Sequence, residues 1–227
     1  MRLLIDDANI ERIKNLYNYY PIDGVTTNPS ILAKAGRPPY DALRDIRAFI
    51  GNKAELHVQV VSKTAQDMVE EGRKIERILG NNTYIKIPTT PEGLKAMRIL
   101  NSEGYLITAT AIYTPMQGYL AAKAGAKYAA PYVNRIDNLG NDGIHTAKCI
   151  HDIYVNNGMS TKVLAAGFKN SLQVQELCEY GIRSVTVASD VMENLIKNAC
   201  VTSAVDDFVA DFEKLCGQGK TMLNCEE

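Results

Sequence analysis

The stretch Tyr84-Ile85-Lys86-Ile87-Pro88-Thr89-Thr90-Pro91-Glu92-Gly93-Leu94 contains one complete strand-and-helix unit. An extended apolar run ends at Pro88, and a helical pattern begins at Pro91, where a proline suits the first turn. Lys86 lies in the middle of the predicted strand. An ammonium group is costly to remove from water unless it is paired or loses its proton. Lys86 therefore either reaches water at a strand edge, pairs with a carboxylate such as Asp6, or is a buried amine nucleophile.

The same unit recurs along the whole chain. Short β-branched or apolar runs alternate with segments whose apolar residues lie three or four positions apart, and several of these segments end at a glycine. Eight alternations without a break in composition predict a closed (β/α)₈ TIM barrel, with an open doubly wound sheet as the alternative. The eight predicted strands are Leu3–Asp6, Gly24–Asn28, Leu56–Val60, Tyr84–Pro88, Ile107–Tyr113, Tyr128–Val133, Lys162–Phe168 and Ser184–Ala188.

Beyond the eighth strand, the pattern predicts helices over Asp190–Asn198 and Val201–Cys216, followed by a polar segment. We therefore predict one domain over residues 1–216, made of the barrel and an extra C-terminal helix, and a polar tail over 217–227. The last helix either packs on a neighbouring subunit or covers the barrel of its own chain.

Composition excludes several classes of protein. A chain of 227 residues with 46% hydrophobic residues can bury a full core, and its net charge of −1 offers no basic field for nucleic acid. No basic segment precedes an apolar run at the N-terminus, and no apolar run approaches about 18 residues, so we expect no membrane association. Five scattered cysteines without a CxxC motif indicate a reducing cytoplasm.

Neither a metal nor an organic cofactor is expected. The chain has three histidines, and only His145 has a second metal-binding residue, Cys149, one helical turn away. No third ligand is evident for such a half-site, and no glycine-rich dinucleotide motif follows a strand.

Polar residues occur at the C-terminal ends of the predicted strands, where active sites of this fold lie. Each has a structural alternative: Asp6 as a helix N-cap, Asn28 as a cap before Pro29, and Tyr132 as a core ring. Their occurrence on strand after strand favours one shared site. The candidates are Asp6, Thr26, Asn28, Gln59, Lys86, Thr110, Tyr132, Asn134, Arg135 and the loop after Phe168, with Gly167 and Lys169.

These residues lie in motifs that resemble the transaldolase family. The stretch Asp23-Gly24-Val25-Thr26-Thr27-Asn28-Pro29-Ser30 is similar to the family signature, and 85–88 followed by 92–94 is similar to its Schiff-base lysine segment. Residues 108–113, 130–137 and 164–169 resemble further family blocks. The resemblance extends to about Phe212 and implies a (β/α)₈ barrel that is a homo-oligomer, a pentamer or decamer.

The resemblance also implies roles for the candidates. Lys86 would form the Schiff base, and Gln59, Thr110 and Tyr132 would hold the water that shuttles protons. Asp6 and Asn28 would hold dihydroxyacetone hydroxyls, Arg135 would take the anionic end of the substrate, and Lys169 would assist. Thr26, Asn134 and Gly167 complete the implied substrate-binding set.

Three positions bear on the substrate. Gln59 and Tyr132 resemble the fructose-6-phosphate aldolase branch, which releases free dihydroxyacetone, whereas transaldolases usually carry glutamate and phenylalanine there. Gly167 departs from the serine that the family generally uses near the phosphate, which leaves room for a sulfonated ketose. A transaldolase and a non-catalytic binding barrel are the alternative functions.

Overall fold

The structure, a computed structural model, describes residues 1–225. Eight parallel strands close into a barrel in sequence order, each hydrogen-bonded to its neighbours, so the predicted (β/α)₈ fold is confirmed. The strands are β1 Arg2–Asp6, β2 Gly24–Thr26, β3 Glu55–Gln59, β4 Thr83–Pro88, β5 Leu106–Ile112, β6 Tyr128–Pro131, β7 Lys162–Ala165 and β8 Ser184–Val187.

Helices follow the strands around the barrel, and most begin at a side chain that caps the first turn. Thr64, Thr90, Thr114, Asp142 and Asn170 each accept a hydrogen bond from a backbone N–H three residues later. The helices are α1 Ile10–Tyr19, α2 Pro29–Ala35, α3 Pro39–Ile50, α4 Ala65–Leu79, α5 Pro91–Ser102, α6 Pro115–Lys123, α7 Val133–Asp137, α8 Gly143–Asn156, α9 Ser171–Tyr180, α10 Ser189–Asn194 and α11 Ala199–Cys216.

Gly93 sets how closely α5 approaches the end of β4. A Cβ atom at this position would lie 1.8 Å from the carbonyl oxygen of Pro88, so only glycine allows the approach. The Thr90 hydroxyl accepts the N–H of Gly93 at 3.0 Å and starts the helix at the same place. Gly93 thereby allows β4, the strand that carries Lys86, to pack closely against α5.

Strand β6 is shorter than predicted. The sequence pattern extends it to Val133, but Val133 begins the short helix α7. Tyr132 makes a single bridge to Ala166, after which the N–H of Ile136 donates to the Tyr132 carbonyl. Arg135 therefore lies on a helix above the barrel mouth and not at a strand end.

The chain divides into two compact units, Met1–Met192 and a unit that begins at Glu193. The first holds the complete barrel. In the second, α11 has no buried residue, and Cys225 is the last residue that the structure describes. Our boundary between 216 and 217 stays a prediction, and residues 226 and 227 of the predicted tail lie outside the described residues. Within residues 1–225, no helix combines the length and apolar character needed to cross a membrane.

Candidate active site

Lys86 is buried inside the barrel. It is 5% exposed, and its Nζ donates a hydrogen bond to the carbonyl oxygen of Thr27 at 2.7 Å. The side chain thus ends at a backbone oxygen of the β2–α2 connection and does not extend to bulk water. Burial lowers the pKa of Lys86, and the negative charge of Asp6 opposes that shift. The result is an amine that loses its proton more readily than an ordinary lysine.

A cavity of about 80 Å³ opens at the C-terminal ends of the strands, where this fold places its active sites. Seven of the sequence-predicted site residues line it, together with apolar and hydroxyl side chains. The lining residues are Asp6, Thr26, Asn28, Lys86, Ala130, Tyr132, Arg135, Leu164, Ala166, Gly167 and Thr186.

Asp6 is held in the cavity by a hydroxyl chain. Thr26 Oγ1 donates to Asp6 Oδ1 at 2.6 Å, and Thr26 Oγ1 lies 2.6 Å from Thr186 Oγ1. Burial raises the pKa of Asp6, while Lys86 and Thr26 act in the opposite direction. The alternative role as a helix cap belongs instead to Asn9, whose side chain accepts the N–H of Arg12. Asp6 is therefore free to contact a ligand.

Asn28 serves both of the roles that the sequence left open. Its side-chain oxygen accepts the N–H of Ile31 at 3.0 Å and caps α2, whose first residue is Pro29. The same residue lines the cavity. Its Nδ2 group is the part of the side chain that remains for a substrate hydroxyl.

Tyr132, which lines the cavity, forms a second polar pair with Thr110, which does not. The Tyr132 hydroxyl lies 2.9 Å from Thr110 Oγ1. Next to Thr110, Ala111 has a φ of 55°, and the pairing of β5 with β6 shifts register between Ala109 and Ile112. A non-glycine residue in this conformation is strained, and bulges of this kind re-aim side chains near active sites. The bulge is what interrupts the pairing of β5 with β6 beside Thr110.

Arg135 lies over the face of Tyr132, with its guanidinium carbon 4.6 Å from the ring centre. A hydrogen bond with Tyr113 raises its pKa, so the group stays cationic. Two other predicted residues lie outside the cavity. Asn134 donates its backbone N–H to the carbonyl of Gly167 at 3.2 Å, and the Lys169 side chain is exposed.

Gln59 does not line the cavity. Its backbone pairs with Lys86, and the residue borders a separate groove of about 560 Å³ that includes Pro29, Tyr40 and Ile75. Its Oε1 is buried and has no hydrogen-bond partner within residues 1–225. The sequence grouped Gln59 with Thr110 and Tyr132; the hydrogen bond between those two residues does not include Gln59, and the grouping of all three stays a prediction.

The chain matches the family model described as Transaldolase/Fructose-6-phosphate aldolase over residues 3–223. This chain belongs to that family. It is 38% identical to a probable transaldolase of Hydrogenobaculum sp. (strain Y04AAS1), over 95% of this chain and 98% of that protein. It is 39% identical to a probable fructose-6-phosphate aldolase of Streptococcus pneumoniae, over 93% of this chain and 96% of that protein. The similar identities to relatives that carry these two names do not decide between transaldolase and aldolase activity.

Solved structures agree on the fold. A structure described as native KDPGal covers 92% of this chain and 97% of its own, with a TM-score of 0.59 and 15% identity. At that identity the likeness concerns the barrel architecture alone.

Within this member of the transaldolase/fructose-6-phosphate aldolase family, Gly167 leaves open space at the cavity. A Cβ atom there would meet no atom closer than the Tyr132 Cα at 4.0 Å. Its φ of 73° lies in the left-handed region, where a side chain costs about 1–3 kcal/mol of strain. A serine would have room at this position but would have to adopt an unfavourable backbone conformation.

One polar cluster was missed by sequence reasoning. Glu55 and His57 point into the barrel below Gln59, because alternate residues of a strand share a face. His57 Nε2 lies 3.4 Å from Glu55 Oε2, and His57 Nδ1 lies 2.9 Å from Thr108 Oγ1. Tyr128 donates to Glu55 at 3.1 Å, and Arg2 forms an ion pair with it. The signal was present in Glu55-Leu56-His57-Val58-Gln59, where every second residue is polar.

The charges in this cluster are settled by burial and pairing. Burial lowers the pKa of His57, so the imidazole is neutral at pH 7. Burial works against ionisation of Glu55, but the His57 hydrogen bond and the charge of Arg2 leave its pKa below the ordinary value. The cluster thus pairs a carboxylate with a cation and keeps a neutral ring in the layer next to Lys86.

Proposed function

We propose that this protein is a Schiff-base (class I) aldolase acting on fructose 6-phosphate or a similar anionic ketose. It would cleave or form the C3–C4 bond, with dihydroxyacetone as donor and an aldehyde such as glyceraldehyde 3-phosphate as acceptor. The single observation that carries the proposal is the buried Lys86 amine, which opens onto a cavity shared with Asp6 and Tyr132.

The proposed reaction begins with attack of the neutral Lys86 amine on the ketose C2 carbonyl. Loss of water gives an iminium, which accepts the electrons of the C3–C4 bond when that bond breaks. Burial favours the neutral amine needed for the first step. The positively charged iminium then forms beside Asp6, whose carboxylate is positioned by Thr26.

Bond cleavage also requires proton transfer. A base must take the C4 hydroxyl proton, and an acid must later protonate the enamine carbon. Asp6 suits the first contact because its raised pKa makes it a better base than an exposed aspartate. The Tyr132–Thr110 pair supplies a hydroxyl that can both donate and accept, working through a water molecule.

A transaldolase is the second candidate, supported by the relatives that carry this name. The purified protein should be given fructose 6-phosphate with and without erythrose 4-phosphate, and free dihydroxyacetone should be measured. An aldolase releases free dihydroxyacetone in both reactions. A transaldolase consumes fructose 6-phosphate only when erythrose 4-phosphate is present, because it transfers the dihydroxyacetone unit to that acceptor. A non-catalytic barrel would give neither product nor a borohydride-trapped adduct.

Arg135→Ala is expected to raise KM for a phosphorylated ketose by about tenfold to 100-fold. A charge-assisted hydrogen bond is worth about 1.5–3 kcal/mol, and Arg135 is the cation that lines the cavity mouth. Steady-state kinetics with fructose 6-phosphate would measure the change. The KM for dihydroxyacetone in the synthetic direction should stay nearly constant, because this donor has no anion. Equal loss for both substrates would contradict the assignment.

Gly167→Ser tests the identity of the anion. If a missing hydroxyl limits phosphate binding, serine improves kcat/KM for fructose 6-phosphate, and Gly167→Ala provides the matched control for backbone strain. If serine improves nothing beyond alanine and a sulfonated ketose is the better substrate of the parent, the protein acts on the sulfonate. The Schiff-base chemistry would be the same in either case.

Activity is expected to be independent of metal ions. The amine and the iminium supply the electrophile that a divalent ion supplies in metal-dependent aldolases. The rate should be unchanged after exhaustive dialysis against a chelator, with the metal content verified by elemental analysis. A lost rate that a divalent ion restores would overturn the Schiff-base mechanism.

We also propose a homo-oligomer in the cytoplasm, a pentamer or decamer. In α11, an apolar stripe at helical spacing is exposed, and Phe208 is 71% exposed at its centre. A second copy of this chain is the partner we expect on this stripe, since a lone exposed apolar face is unfavourable. The remaining exposed members are Val201, Val205, Val209 and Leu215.

Phe208→Glu is expected to reduce the oligomer to smaller species, because a charge would replace the central apolar contact. Light scattering coupled to gel filtration would measure the mass. Ser203→Glu is the matched control, since Ser203 lies on the opposite face of the same helix. An unchanged mass for Phe208→Glu would remove α11 from the interface.

A further inference from the structure

The end of α11 brings two cysteines together. Cys216 is the last residue of the helix, and the chain then reverses so that Cys225 Sγ lies 2.8 Å from Cys216 Sγ. Gly217 and Gly219 have φ values of 104° and 70°, which only glycine adopts without strain. The reversal is therefore specified by the sequence between the two cysteines.

Hydrogen bonds fasten the reversed segment. The N–H of Gly219 donates to Glu213 Oε1 at 2.9 Å, and the N–H of Thr221 donates to Asn224 Oδ1 at 2.7 Å. The N–H of Cys225 donates to the Thr221 carbonyl at 2.9 Å. The two sulfurs are thus held close by a folded turn, which the hydrogen bonds of neighbouring residues stabilise. Both thiols are half-buried.

We propose that Cys216 and Cys225 are a modification site. A low-molecular-weight disulfide such as oxidised glutathione oxidises the two thiols, which form a reversible disulfide with each other. One cysteine thiolate attacks a glutathione sulfur, which forms a mixed disulfide and releases one glutathione thiolate. The second cysteine attacks the protein sulfur of that mixed disulfide and releases the other glutathione. The protein loses two electrons and two protons, and the glutathione disulfide takes up both electrons.

The local electrostatics set the conditions for the reaction. The Cys225 thiol raises the pKa of Cys216, and the positive charge of Lys220 opposes this effect. A raised pKa leaves few thiolates at neutral pH, so oxidation of the pair is slower there and faster at higher pH. The disulfide would close residues 217–224 into a short loop against the helix end.

The remaining cysteines provide internal controls. Cys178 and Cys200 are exposed, and Cys149 has its sulfur 3.3 Å from His145 Nε2. Within residues 1–225, the pair formed by Cys216 and Cys225 is the sole sulfur–sulfur contact. Glutathione should therefore add to the exposed thiols without linking them.

The experiment uses the full-length protein at low concentration in oxidised glutathione, followed by alkylation of free thiols and trypsin digestion. Trypsin cleaves after Lys220, between the two cysteines, so the disulfide holds two peptides together until a reductant is added. Mass spectrometry should show this linked pair, with its mass lower by two hydrogen atoms than the sum of the reduced peptides.

Variants make the outcome decisive. Cys216→Ser and Cys225→Ser should each abolish the linked peptide and retain glutathione on the remaining cysteine, because no second thiol resolves the adduct. Cys200→Ser, in the same helix, should give the linked peptide as the parent does. Separate glutathione adducts on both cysteines of the parent, or a link to another cysteine or to a second molecule, would overturn the proposal.

Discussion

Lys86→Met is expected to lower kcat/KM by more than about 10⁴-fold, since removal of a covalent nucleophile eliminates the iminium pathway. Methionine is close to lysine in length and apolar, so it fills the buried position without placing a charge there. Lys86 is 5% exposed, and within residues 1–225 its amine donates one hydrogen bond, to a backbone carbonyl. The fold should therefore persist, which thermal unfolding would check.

Trapping identifies the nucleophile directly. Sodium borohydride with substrate should add one dihydroxyacetone-sized mass to the parent, located on Lys86 by peptide mapping. Lys86→Met should acquire none, and Lys169→Met, which changes an exposed lysine, should be labelled like the parent. A stable adduct on another lysine, or an active preparation without any adduct, would refute the role of Lys86.

The pH dependence of this step follows from the position of Lys86. Burial lowers its pKa, so the neutral, reactive amine forms at lower pH than for an exposed lysine. The acid limb of kcat/KM should rise with pH through this lowered pKa. Asp6→Asn removes the nearby negative charge that favours the ammonium, and its acid limb should move to lower pH.

Tyr132→Phe is expected to slow protonation of the enamine by about 10²–10⁴-fold, the usual contribution of one acid–base group. Phenylalanine keeps the ring under Arg135 but removes the hydroxyl that lies 2.9 Å from Thr110 Oγ1. Release of free dihydroxyacetone should fall, and the fraction transferred to erythrose 4-phosphate should rise. Both products are measured in one reaction by coupled assays.

Tyr19→Phe is the control for loss of a tyrosine hydroxyl, because Tyr19 is 71% exposed and lies outside the cavity. If Tyr132→Phe releases free dihydroxyacetone as fast as the parent, Tyr132 has no role in the proton shuttle. Gln59→Glu is likewise expected to lower the release of free dihydroxyacetone and to raise the transferred fraction. Because Gln59 is not among the residues that line the cavity, unchanged release by that variant would remove Gln59 alone from the shuttle and leave the Tyr132–Thr110 pair in place.

The sequence by itself determined the barrel, because the patterns that indicate a barrel are local features of the chain. Strand and helix periodicities are repeated along the chain, and parallel strands joined by helices have few ways to close. Once the barrel is given, the polar residues at strand ends must meet at one mouth. This is why Asp6, Thr26, Lys86 and Tyr132 were predicted together and do line one cavity.

Only the tertiary structure decided how those residues contact one another. The 2.9 Å contact of His57 with Thr108 joins β3 to β5, and it depends on strand register and barrel closure. Gln59 pairs with Lys86 in the sheet and yet is not among the cavity-lining residues, because where a side chain ends depends on its rotamer and packing neighbours, which the sequence pattern does not specify. Arg135 lies on a helix because β6 ends after Pro131. Periodicity describes each element separately, whereas these contacts depend on how elements pack in space.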